Sequence, residues 1–167
     1  MMSHEHRRDQ KISTGFAILT TSDSRTKEND DTGRIAQELI QSNHHIIVEY
    51  DIVKNDAAAI SDRINDYLNN PEIRVIIISG GTGVGKRDLT IRTVVPRFEK
   101  HLIGFGELFR RLSYEELGVP GIYSQASAGI IGNTIVYCLP GSTNAMKTAL
   151  AKIILPGIGH LIWEIDR

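Results

Sequence analysis

What the chain has little of narrows its class first. A single cysteine, Cys138, among 167 residues excludes an internal disulfide. Its place in the apolar run 135–139 marks it as a buried strand thiol rather than a nucleophile or ligand. Charge of neither sign is in excess: 19 basic against 20 acidic side chains leave a net −1 at pH 7. That excludes the broad basic surface that binding to nucleic acid or to a membrane surface requires, so any anion site must be local. Long hydrophobic runs are missing too. No stretch reaches the ~18 residues of a membrane span, and the start, M-M-S-H-E-H-R-R-D-Q-K, has no apolar signal region. The expectation is a cytoplasmic protein.

What is there suits one globular domain. Apolar residues make up 41% and charged residues 23%, ordinary values for a soluble fold. A chain of this length buries ~70% of its unfolded surface on folding, enough for a core without staples. Residues 1–13 are polar and read as a flexible tail in which His4 and His6 carry no role. Residues 14–167 read as the single α/β domain.

The richest stretch is 75–90, V-I-I-I-S-G-G-T-G-V-G-K-R-D-L-T. Four β-branched residues without alternation predict a strand buried on both faces of a sheet, and the chain then breaks into glycines. Gly80, Gly81, Gly83 and Gly85 allow positive φ and close approach to a ligand, turning amide N–H groups toward an anion. A Walker A loop fits from Gly80 through Lys86 but fails at Arg87, where the hydroxyl that holds Mg²⁺ belongs. The dinucleotide fingerprint fails as well, its last position falling on Lys86 or Asp88 instead of glycine. What remains is a carboxylate, Asp88, just beyond an anion-binding loop. Either a divalent cation lies between it and the phosphates, with Asp88 as its ligand, or Asp88 is protonated or handles a proton or non-phosphate group, or it caps the helix expected to follow.

The remaining chain alternates strand and helix. Residues 16–20 predict the first strand, followed by a long polar loop, 21–33. Hydroxyls at Ser22 and Ser24 with Arg25 and Lys27 either grip phosphate or decorate a surface turn. Thr32 predicts the N-cap of a helix to Ser42. Residues 46–53 predict a second strand and 57–69 a second helix, with Asp56 either its N-cap or a second carboxylate sharing Mg²⁺ with Asp88. A short helix over 91–100, interrupted at Pro96, precedes one over about 106–117 that ends at Gly118. Glu107 there either complements the helix dipole or touches ligand. Segments 124–131 and 134–139, joined through Gly132-Asn133, predict an antiparallel hairpin. Gly141 and Ser142 open a helix over 144–154, a further anion site, which Pro156 and Gly157 are expected to end. The whole predicts a three-layer α/β/α fold with a mostly parallel sheet and an antiparallel edge hairpin.

The segment S-G-G-T-G-x-x-x-R-D-x-T, residues 79–90, resembles the signature of the MoaB/MogA family of molybdenum or tungsten cofactor biosynthesis proteins. The segment G-F-G-E-L-F-R-x-L-S-Y-E-E-L-G, residues 104–118, is similar to the MoaB branch in particular. The likeness runs from about residue 15 to 163. It implies binding of molybdopterin and its adenylylation with ATP and Mg²⁺, with Asp88 and Asp56 as catalytic carboxylates. It also implies ligand contacts from Ser22, Ser24, Gly80, Gly81, Thr82, Gly83, Thr90, Glu107, Gly141 and Ser142, and a homo-oligomer, trimer or hexamer. Two positions depart from the family's pattern. Asn55 stands where an aspartate is common, and Gln125 where S-R-A-x-A-G has arginine. The alternative function is a non-catalytic molybdopterin-binding or scaffold protein of the same pathway.

Overall fold

In the computed structural model, which describes residues 12–167, the β-branched runs form the centre of a six-stranded sheet. The strands are β1 (Gly15–Thr21), β2 (Ile46–Val53), β3 (Val75–Ser79), β4 (Lys100–His101), β5 (Ser127–Ile131) and β6 (Thr134–Leu139). They lie in the order β2-β1-β3-β6-β5-β4. The first three contacts in that order are parallel, and β5 pairs antiparallel with both β6 and β4. The mostly parallel α/β sheet with an antiparallel edge, expected from the sequence, is the one observed. The expected tail lies, apart from residues 12 and 13, outside the described residues.

Strand periodicity divides the core. Phe16, Ile18, Val75, Ile77, Ile135 and Tyr137 face one side, against α1 (Asp31–Ser42), α4 (Ile103–Leu117), α5 (Thr143–Ala149) and α6 (Leu155–Asp166). Ala17, Leu19, Ile76, Ile78, Val136 and Cys138 face the other, against α2 (Ala57–Leu68) and the five-residue α3 (Thr90–Val94). Successive strand residues point to opposite faces, so these strands must be apolar at every position to be covered twice. Full burial pushes the Cys138 thiol up to about 12, which leaves it protonated and inert.

Two boundaries differ from expectation for physical reasons. Pro156 does not end the last helix. A wide i→i+5 turn at Leu150–Ile154, closed by the Leu155 N–H on Leu150 O, joins α5 to α6 and leaves Pro156 in the first turn of α6, where proline is tolerated. The resulting helix, Thr143–Asp166, is long and apolar enough to cross a membrane by length and composition. Its residues Met146, Ala149, Leu150, Ile154, Ile158 and Ile162 are instead buried on the sheet. The other difference is α4, which starts at Ile103, three residues before the predicted start, and carries Glu107 past its first turn.

The connections set the site. β3 sends its chain to the α3 face, whereas β1 and β6 send theirs to the α1/α5 face. Loops that diverge at strand carboxyl ends leave a crevice between them, the usual ligand position in such sheets.

Candidate functional site

The glycine loop after β3 is held largely by its carbonyls. Thr90 Oγ1 donates to the Gly80 carbonyl at 2.7 Å, and the Thr90 amide donates to that of Gly81 at 3.0 Å. Gln125 holds the next two, its amide donating to Thr82 O at 3.2 Å and its Nε2 to Gly83 O at 3.4 Å. The Gly80 N–H is spent on Leu139 O. Among the described residues nothing accepts from the N–H groups of Gly81, Thr82 or Gly83. Three consecutive amides left without a protein acceptor are available to an anion.

The shape requires glycine. Gly80 has φ +100° and Gly81 φ +65°, and a Cβ would come within 2.6 Å of Thr21 O at the first and 2.5 Å of Thr90 Oγ1 at the second. Asp88 closes the loop: its Oδ2 accepts from the Gly85 N–H at 2.9 Å. It does not cap α3, whose N-cap position, Leu89, makes no side-chain bond.

The loop forms one wall of a cleft of about 600 Å³. Gly81, Thr82, Gly83 and Asp88 line that wall, Gly141 and Ser142 the floor after β6, and Phe109, Glu116 and Tyr123 the far side. Six of the residues expected at the site are thus brought together. Thr90 stands behind the loop, fully buried, as its anchor. Ser142 caps α5 by accepting from the Ala145 N–H at 3.1 Å.

Besides Thr90 and Gly80, which belong to the loop's support, four expected residues lie outside the lining. Ser22 Oγ accepts from the amides of Ser24 and Arg25, a local turn. Asp56 caps α2 by accepting from Ala59 N at 2.9 Å. Glu107 is exposed on the outer face of α4. Its place in the cleft is taken by Glu116, nine residues on, which α5 holds through Asn144 and Thr148.

A buried carboxylate that the sequence pattern pointed past ties the loops together. Asp30, only 2% exposed, is the N-cap of α1 in place of Thr32. It accepts from Thr20 Oγ1 at 2.6 Å, Tyr50 OH at 2.8 Å, Arg25 Nη1 at 3.0 Å and Gly33 N at 3.1 Å. Burial pushes its pKa up, but these donors outweigh burial and hold it below the ordinary value. Arg25 and Thr32 then both donate to the Gly141 carbonyl, at 3.1 and 3.0 Å, fixing the cleft floor from the β1–α1 loop.

Asn55, at the turn after β2, reaches the same loop. Its amide nitrogen donates to Arg87 O, and its backbone N–H to Asp23 Oδ1 at 3.0 Å. Its Oδ1 is buried without a partner, and a Cβ at Gly81 would lie 3.0 Å from it. No group of three or more His, Cys, Asp or Glu side chains converges among the described residues. Asp88, which lines the cleft, still fits Mg²⁺, which commonly takes one or two carboxylates and completes its shell with water and substrate phosphates.

The fold and this crevice define an α/β protein with a glycine-rich donor loop at the carboxyl ends of its parallel strands. A profile of the family described as "Probable molybdopterin binding domain" matches residues 17–160, and the chain belongs to that family. Among the relatives, it is 38% identical over 164 residues to molybdenum cofactor biosynthesis protein B of Bacillus cereus, covering 98% of this chain and 97% of that one. It is 45% identical over 154 residues to the protein of that name from Staphylococcus carnosus, covering 90% of each. The tungsten cofactor synthesizing protein MoaB of Pyrococcus furiosus superposes with a TM-score of 0.85 at 34% identity, covering 93% and 98%. The chain is thus a protein of molybdenum or tungsten cofactor biosynthesis.

Proposed function

We propose that the cleft binds molybdopterin and Mg-ATP and transfers the adenylyl group to the pterin's terminal phosphate. A phosphate oxygen of the pterin attacks the α-phosphorus. A new P–O bond forms there, the bond to the β-phosphate bridging oxygen breaks, and pyrophosphate leaves. The observation that carries this is the set of open amides at Gly81, Thr82 and Gly83. With their carbonyls tied back, these donors are already oriented, so no reorganisation is needed as charge develops.

Mg²⁺, when bound, would neutralise phosphate charge and hold the nucleotide in line. Asp88 would supply its carboxylate. Ser142 and the N-terminus of α5 offer a second place for an anionic oxygen. The apolar far side, Phe109 and Tyr123, suits a planar ring. The protein acts in the cytoplasm as a homo-oligomer, trimer or hexamer. Incubation with molybdopterin, ATP and Mg²⁺ tests the proposal, with pyrophosphate release expected. Absence of release with intact pterin binding would leave a non-catalytic carrier, the reading that Asn55 in the place of a carboxylate favours.

A further inference from the structure

A charge pair on the far wall has no part in the chemistry above. Glu116, on the last turn of α4, lines the cleft. Its carboxylate accepts from Asn144 Nδ2 at 2.7 Å, Thr148 Oγ1 at 3.1 Å and Lys152 Nζ at 3.2 Å. The three donors stand four residues apart along one helix. Four α-helical residues rotate by ~400°, so such a row winds away by ~40° at each step. The i→i+5 turn at Leu150–Ile154 slackens the rotation across Lys152 and keeps it over Glu116.

A carboxylate in the wall of an anion-binding cleft repels the ligand unless something cancels it. The bonds from Lys152 first, then Asn144, hold the Glu116 pKa below its ordinary value, so it is ionised at neutral pH. Asn144 and Thr148 satisfy its lone pairs but carry no charge. Lys152 alone of the three supplies a positive charge, and it lies outside the cleft lining.

We infer that Lys152 is a charge-masking residue of the cleft: its ammonium neutralises Glu116 and so admits phosphate-bearing ligands past a carboxylate. The inference rests on the cleft being an anion site. Lys152 touches no ligand; it is a positioning residue acting through Glu116. A cleft of about 600 Å³ is ~8 Å across, and at that distance one unmasked charge weakens a monoanion roughly 2- to 30-fold for an effective dielectric between ~80 and ~20.

A double-mutant cycle tests this, with calorimetric binding of Mg-ATP and of inorganic pyrophosphate at about 50 mM and about 1 M NaCl, where the screening length falls to ~3 Å. K152Q is expected to weaken both probes at low salt by at least that monoanion factor, pyrophosphate more than Mg-ATP because it carries more negative charge, and by much less at high salt. K152R is expected to bind as wild type. E116Q/K152Q is expected to return to within about 2-fold of wild type, because removing the carboxylate removes what needed masking. A clip that only holds α4 against α5 would be damaged further by the second substitution. K152Q binding like wild type, or a double variant as weak as K152Q, overturns the masking role while leaving the anion site intact. Wild-type protein that binds neither probe overturns both.

Discussion

Thr90→Val replaces a buried hydroxyl by a methyl of nearly the same volume. The hydroxyl donates to Gly80 O at 2.7 Å and lies 3.3 Å from Thr21 Oγ1. Its loss leaves the Gly80 carbonyl with a buried, unsatisfied oxygen at a residue already at φ +100°. Such a loss costs about 1–3 kcal/mol. For a chain of this size that is a fall in Tm of about 2–12 °C. The effect on binding should exceed the effect on stability, because the freed carbonyl lets the peptide turn and carries the Gly81 N–H out of the cradle. Thr90→Ser keeps the donor and loses one buried methyl, about 0.8 kcal/mol of transfer free energy. Thermal unfolding with calorimetric titration of Mg-ATP separates the two. The expected pattern is that both variants are less stable and only the valine variant loses at least about 10-fold in affinity. A valine variant that binds like wild type would refute the anchoring role of Thr90 and the loop geometry built on it.

Three further outcomes follow from the site. Asp88→Ala should lower turnover by orders of magnitude with only a modest loss of pterin affinity, measured as pyrophosphate release against pterin binding; unchanged turnover removes Asp88 from the chemistry. Asn55→Asp replaces the Nδ2 donor to the Arg87 carbonyl by a carboxylate oxygen, and should cost about 1–3 kcal/mol of stability in thermal unfolding; an unchanged Tm would separate Asn55 from the loop. Asp30 has a folded-state pKa below its unfolded value of ~3.9, so its stabilisation is complete above about pH 4 and is lost as pH falls through the folded pKa. Asp30→Asn should therefore cost about 2–3 kcal/mol at pH 7 and flatten the acid limb of a stability–pH curve; an unchanged limb would assign acid lability elsewhere.

The parts of this protein legible in its sequence are those fixed by neighbours along the chain. The unbroken β-branched run of β3 and the glycines after it placed both the central strand and the loop. The Gly132-Asn133 turn placed the antiparallel edge. What stayed hidden depends on distant partners. Between Asp30, Asp31 and Thr32, local chemistry cannot choose a cap; Asp30 takes it because Thr20 on β1 and Tyr50 on β2 converge on its carboxylate. Gln125, read as a lost charge, proves to be a clamp on the loop carbonyls across the sheet. Glu107 and Glu116 share one helix and similar flanks, and only packing of α4 against α5 decides which faces the cleft. The two-residue strand β4 carries no periodicity at all.

The most direct measurement follows the backbone ¹⁵N–¹H resonances of Gly81, Thr82 and Gly83 while pyrophosphate or Mg-ATP is titrated in. Three donors closing on one anion should shift together, with a single shared dissociation constant and slowed hydrogen exchange. Resonances that stay fixed at saturation, while others elsewhere in the protein move, would contradict the cradle.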